Sequence, residues 1–227
     1  MEYKTLNDQL EMTISILKEN KELMDMLDYI ETLKLPNYYI AAGSVFQTIW
    51  NKMDNKDLNY NIKDIDVIYY NDKDLSVNKD LEYYELINNY CKNKGYKYEI
   101  DVSNEARMHL WKKEKFNIEV EPYTCSEDAI NKWIATVHAI GITKIHDELK
   151  IYAPYGLSDI FSKTIRPIKH KYNTKEIYDK KAMSWNERFD SLNIIEWWYA
   201  RMIKINWYVR SPHTRHVETV MVLKKKN

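Results

Sequence analysis

A chain of 227 residues in which 34 Lys and Arg balance 34 Asp and Glu carries no formal net charge, so a sequence-blind grip on long nucleic acid has no support from the whole chain, although a local basic site is allowed. The length suffices for a core without staples, and the two cysteines, Cys91 and Cys125, form no Cys-x-x-Cys pair, which points away from a disulfide scaffold or a cysteine zinc site and toward a reducing compartment. Acids and lysines run through the N-terminus in place of a signal peptide, and no segment reaches membrane-spanning length; the expectation is a cytoplasmic protein without a membrane partner.

In chain order, Leu6, Leu10, Ile14 and Leu17, then Leu23, Leu27, Ile30 and Leu33, recur at helical spacing, with Thr5 and Asn20 placed to cap two amphipathic helices. Residues 38–42 predict a short apolar strand ended by Gly43, after which Ser44 is placed to cap a helix running to about Met53. A polar turn leads to a strand over 64–70. A longer helix follows with Leu81, Tyr84, Ile87 and Cys91 as its stripe and Gly95 as its stop. Residues 96–102 predict a third strand, Asn104 a helix cap, residues 117–123 a fourth strand, and Ser126 the cap of another helix. A hairpin over 137–145 and 149–153 turns at "HDE", a short helix follows at "GLSDIFSKTI", and a last helix runs from Lys175 to Leu192. Strands interleaved with helices predict an α/β or α+β fold with one central sheet. Trp133, Trp185, Trp197 and Trp198 are assigned to core and interface, and the end of the chain is short of acids and rich in Arg, His and Lys.

One strand stands out. Asp is disfavoured in strands because its carboxylate competes for backbone hydrogen bonds, yet "KDIDVIYY" carries Asp64 and Asp66 on one face. Two carboxylates about seven ångströms apart along a strand can converge on a hard divalent cation, Mg²⁺ or Mn²⁺. An isolated Asp-x-Asp is more often a wet surface feature, but the preceding strand, Gly43-Ser44 turn and helix put free amides and a positive helix end where phosphate could bind. A third acid from a neighbouring strand would complete a two-metal phosphoryl site. Asp101 is the first candidate, Glu99 on the same face the second, and Glu119 a more distant one. Arg107 suits a triphosphate through its permanent charge and forked donors, while an arginine paired with a nearby acid on its own helix is an equal reading.

The stretches "AAGSVFQTIWN", "KDIDVIYYNDKDLS", "DVSNEARMHLWKKEKF", "PYTCSEDAINKW" and "YAPYGLSDIF" together resemble a bacterial family of nucleotidyltransferase-like proteins, a branch of the DNA polymerase β nucleotidyltransferase superfamily. The resemblance spans roughly Tyr38 to Trp197. It implies a small mixed sheet flanked by helices, Gly43 and Ser44 in the phosphate-holding turn, and Asp64 and Asp66 as the metal pair. Asp101 falls where the third carboxylate would come, and Ser103 stands where a basic residue is expected. The expected organisation is N-terminal helices over 1–35, a nucleotidyltransferase-like domain over 36–168, a helical segment over 169–198 and a basic tail over 199–227. The expected activity is metal-dependent transfer of a nucleoside monophosphate from a nucleoside triphosphate to a hydroxyl of a small molecule, protein or RNA. The alternative is a non-catalytic nucleotide-binding or regulatory module on the same fold.

Overall fold

The computed structural model describes residues 5–199 and the two-residue strand Tyr208–Val209. Helices α1 (Leu6–Glu19) and α2 (Lys21–Leu33) begin where their caps predict. The Thr5 hydroxyl accepts from the Asp8 amide at 3.2 Å while the Asp8 carboxylate accepts from the Thr5 amide at 3.0 Å, and the Asn20 side chain accepts from the Leu23 amide at 3.1 Å. Each cap satisfies amides that have no partner inside the helix.

The chain then builds β1 (Tyr39–Ala41), α3 (Gly43–Met53), β2 (Asp64–Tyr69), α4 (Val77–Lys94), β3 (Glu99–Asn104), a 3₁₀ turn (Glu105–Arg107) and α5 (Met108–Phe116). After α6 (Ser126–Ile130) come the hairpin β4 (Gly141–Ile145) and β5 (Glu148–Tyr152), then α7 (Ser158–Phe161), β6 (Thr164–Ile165), α8 (Lys175–Asn186), β7 (Asn193–Ile194) and β8 (Tyr208–Val209). The main sheet runs β3-β2-β1-β4-β5-β8 and is mixed: β2 and β3 are parallel and joined through α4, and the other pairs are antiparallel. The fold is therefore the mixed α/β architecture expected from the sequence.

One face of the sheet carries Ile40, Ile65, Val67, Ile100, Val102 and Ile142 into the main core, which also takes Ile16, Leu23 and Ile30 from α1 and α2, Trp50 from α3 and Trp185 from α8. Period-two alternation turns Asp64, Asp66, Glu99 and Asp101 to the opposite face. Further along that face, Tyr39, Ala41 and Ile68 pack with Ile130 and Ile168 in a second cluster. The acids thus stand beyond this second cluster on the same face of the sheet.

Several local expectations are corrected. Residues 117–123 form no strand, because Asn117 closes α5 in the left-handed region and the segment beyond carries exposed Ile118, Glu119 and Glu121. Ile87 and Cys91 of the expected stripe are buried in the main core, but Leu81 and Tyr84 face solvent and Asp80, paired with Arg107, takes the buried position in the first turn of α4. Cys125, through its sulfur, caps α6 in place of Ser126, and the last helix ends at Asn186. The first hairpin strand begins at Gly141, and Thr164–Ile165 leaves the α7 helix to pair with β7. Trp185 is core, Trp133 and Trp197 are half-buried, and Trp198 is 73% exposed. Apart from Tyr199 and the strand Tyr208–Val209, the basic tail lies outside the described residues.

Candidate active site

The turn between β1 and α3 is made by Ala42, whose backbone sits at φ 57° and ψ −123°. That region is costly for a residue with a Cβ, of order 1–3 kcal/mol, and such strain persists where the surroundings hold the backbone in place. The Ala42 amide donates to Ile140 at 2.9 Å, and its carbonyl accepts from the amides of Val45 and Phe46 at 3.2 and 3.3 Å. The amides of Gly43 and Ser44, first in α3, are consequently directed out of the helix end without a side-chain cap. The space at Gly43 is tight: a Cβ there would meet Nε2 of Gln47 at 2.7 Å, so that side chain would have to shift. Ser44 is not the cap expected from the sequence. It lies inside the first turn, 1% exposed, and its hydroxyl donates to the Ala41 carbonyl at 3.2 Å.

On β2 and β3, Asp64 is in register with Glu99 and Asp66 with Asp101, while Ala41 is the partner of Asp66 on the other side. The structure thus brings the three expected aspartates and the fallback Glu99 onto one face beside the Gly43 turn. The Asp66 carboxyl is pushed up to about 7 by burial and then by the charges of Asp64 and Asp101, with Lys181 pulling the other way. Behind them Glu105 is buried and pushed up to about 8, mainly by burial and against the pull of Lys112, with Asp101 and Asp66 adding to the rise. Among the described residues, no three carboxylate, histidine or cysteine side chains converge closely enough to hold one cation as they stand, as expected for like charges in neighbouring positions.

A cleft of about 390 Å³ opens against this acidic face. One wall holds Gly43, Gln47, Asp64, Asp66 and Glu99; the other holds Lys181, Ser184, Trp185, Glu187 and Arg188, from α8 and the turn after it, with His138 and Lys63 at the margins, while Asp101 is not among the lining residues. His138 packs among Trp133, Trp185 and Phe46, with ring centroids 5.0, 5.6 and 6.5 Å away. Burial, and then the Lys181 charge, lower it to about 3, so it is a neutral imidazole at pH 7. The basic wall was not visible in the sequence. Lys181 and Arg188 lie more than a hundred residues from the acid motif, and only the packing of Trp185 beneath α8 brings them to it.

Arg107 is not in the cleft. Its guanidinium donates to Asp80 at 3.2 Å, and both side chains are about nine-tenths buried. Asp80 also accepts from the Tyr69 hydroxyl at 2.6 Å and the Asn104 amide at 3.2 Å. This network ties β2, α4 and β3 together, and the partner of Arg107 comes from α4, not from Glu105 or Glu114 on its own segment. Glu119 is likewise remote: it is exposed and paired with Lys113 at 3.0 Å.

A mixed sheet with a helix N-terminus at the end of β1 and acids on β2 and β3 is an arrangement of the nucleotidyltransferase class. Residues 28–194 match the nucleotidyltransferase family, and the chain belongs to it. An NMR structure described as revealing a CCA-adding enzyme head domain has a similar fold, with a TM-score of 0.67 and 26% identity; the match covers 86% of this chain and 98% of that one. No curated protein sequence matches the chain. No helix among the described residues is long and apolar enough to cross a membrane.

Proposed function

We propose that this nucleotidyltransferase is metal-dependent and moves a nucleoside monophosphate from a nucleoside triphosphate to the hydroxyl of a small molecule, protein or RNA, with release of pyrophosphate. The observation that carries the reading is the register of Asp66 with Asp101 beside the strained Ala42–Gly43 turn. The donor set suits Mg²⁺ or Mn²⁺: the oxygens are hard, and Asp66 is a carboxyl that burial, and then the charges of Asp64 and Asp101, push up to about 7. Asp64 and Asp66 would hold the cation of the nucleotide, and Asp101 would complete the set on the acceptor side. Bound there, the cation would neutralise charge on the phosphates and lower the pKa of a hydroxyl beside it.

The chain's own groups do the rest by binding and orientation. The amides of Gly43 and Ser44 take phosphate oxygens, and Asp101 receives the proton of the acceptor hydroxyl. The acceptor oxygen forms its bond to the α-phosphorus as the bond to the bridging oxygen breaks, and pyrophosphate leaves with the electron pair. No covalent enzyme intermediate is needed, because positioning and charge stabilisation can supply the rate. Free Cys91 and Cys125 fit a cytoplasmic site of action.

A second reading, a nucleotide-binding module without turnover, draws on the separation of the three acids. Incubation with each triphosphate, Mg²⁺ or Mn²⁺ and a cell extract, followed by a mass-spectrometric search for nucleotide-modified products, decides between them. Modified product supports transfer; binding without product in any combination supports the module.

A further inference from the structure

Arg107, the residue that the sequence offered for the triphosphate, is committed to Asp80, which leaves the phosphates of a nucleotide without a side-chain cation from β3 or α5. The opposite wall of the cleft supplies two. Arg188 is half-buried; its Nε donates to the Ser184 carbonyl at 3.1 Å and its guanidinium lies 5.9 Å from the Phe189 ring centroid. Burial lowers its pKa while Asp64 and Glu187 oppose the change. Lys181 Nζ lies 5.7 Å from the Trp185 ring centroid, and its charge reaches both Asp66 and His138. Among the described residues neither cation forms an ion pair with an acid, although Asp64, Asp66 and Glu99 line the same cleft.

Lys181 and Arg188, with Glu187 beside them, face Asp64, Asp66 and Glu99 across the cleft without closing into salt bridges, an arrangement that suits a ligand presenting both signs. A bare anion would meet the acids, and a bare cation would meet Lys181 and Arg188. A polyphosphate carrying a divalent cation satisfies both walls at once. An independent feature of the same cleft points to a bound molecule: Gln47 is 3% exposed, and its Oε1 is a buried acceptor without a hydrogen-bond partner, an arrangement that costs about 1–3 kcal/mol unless a donor arrives. A fully ionised phosphate has no donor, but a ribose hydroxyl or a base amine does. The ligand class that answers all three features is a cation-bound nucleoside triphosphate.

We propose that Lys181 and Arg188 form the phosphate-binding wall of the site, so that the nucleotide is clamped between α8 and the β2–β3 acids. This rests on the nucleotidyltransferase reading of the acids but assigns a separate set of residues. The alternative roles for these side chains are an aromatic contact that shapes α8 and a screen for His138, and neither requires a ligand.

The test uses the full chain and calorimetric titration with Mg²⁺-ATP, Mg²⁺-GTP, Mg²⁺-CTP and Mg²⁺-UTP, and with Mg²⁺-tripolyphosphate as a phosphate-only probe. Lys181→Met and Arg188→Met should each weaken the best-binding nucleotide about tenfold or more, the usual loss of one charge-assisted hydrogen bond, and should weaken tripolyphosphate in parallel. Lys181→Arg should retain most of the affinity, and thermal melts should show both Met variants folded. If the parent binds a triphosphate and the two Met variants bind it equally well, the phosphate wall is overturned while the acid site stands. If the parent binds none of the five probes, the nucleotide reading itself falls and this assignment falls with it. If a Met variant unfolds, Lys181→Gln and Arg188→Lys take its place, with the same loss expected for Lys181→Gln and partial retention for Arg188→Lys; equal binding by both would overturn the wall.

Discussion

Asp66 and Asp101 are paired residue for residue on parallel strands, and the Asp66 carboxyl is pushed up to about 7, first by burial, then by the charges of Asp64 and Asp101. Strand spacing of about 4.8 Å puts the two carboxyls within easy reach of a common partner. In the protein without cation the same proximity is a standing repulsion. Both consequences are measurable.

Stability should fall with rising pH when a chelator is present. A carboxyl raised from 3.8 to about 7 is protonated in the folded protein and ionised in the unfolded chain across that interval. The folded state therefore binds more protons, and its stability declines as pH rises from about 4 to about 7. Glu105, pushed up to about 8, extends the decline. Thermal melts from pH 5 to 8 should show it, and Asp66→Asn should remove much of the slope. Mg²⁺ should raise the melting temperature more at pH 8 than at pH 5. A slope unchanged by Asp66→Asn would mean that its carboxyl is not held as described.

Nucleotide should bind only with a divalent cation, because the phosphates would otherwise face Asp64, Asp66 and Asp101 unneutralised. Calorimetric titration with and without chelator checks this; equal affinity in both conditions speaks against the metal assignment.

Arg107→Met should destabilise the fold by about 3 kcal/mol, since removing one member of a buried pair leaves the other charge uncompensated. Asp80 would retain only the Tyr69 hydroxyl and the Asn104 amide. The folded variant should bind nucleotide as the parent does, because its guanidinium points into the β2–α4–β3 junction and not into the cleft. Denaturant unfolding and titration separate the two effects, and a loss of affinity at full folding would return Arg107 to the site.

Asp101→Ala should leave nucleotide affinity nearly unchanged, with Asp64 and Asp66 still in place, and lower the transfer rate by roughly a hundredfold or more. Glu99→Ala is the comparison. Glu99 is partnered with Asp64 and lines the cleft, so a larger rate loss in Glu99→Ala than in Asp101→Ala would make Glu99 the third acid.

The acidic half of the site was legible because aspartates inside a strand contradict its ordinary preferences, and the Gly43 turn was legible because Gly-Ser after an apolar strand is a local signal. What escaped depended on distance in sequence. Lys181 and Arg188 carry no local signal in the sequence; Trp185, 1% exposed and with its ring centroid 5.4 Å from that of Phe46, shows which way α8 faces. For Arg107 the sequence left a triphosphate contact and an acid-paired arginine equally open; it is paired, but its acid, Asp80, lies twenty-seven residues earlier on another helix, where local spacing does not reveal it. Ser44 was taken for a cap by residue type alone, whereas the strained residue is Ala42, a position with no sequence signature for positive φ. Local chemistry was readable one element at a time; the packing of α4 and α8 on the sheet was not.

The central claim is that Asp64 and Asp66 serve catalysis and not folding. The direct measurement is product formation from a labelled triphosphate with Mg²⁺ in cell extract, comparing the parent with Asp64→Asn/Asp66→Asn, alongside melts of both in chelator. The account predicts that transfer disappears in the double variant while its melting temperature equals or exceeds that of the parent, because two of the mutually repelling charges are gone. A double variant that still transfers nucleotide, or that unfolds where the parent is stable, would contradict it.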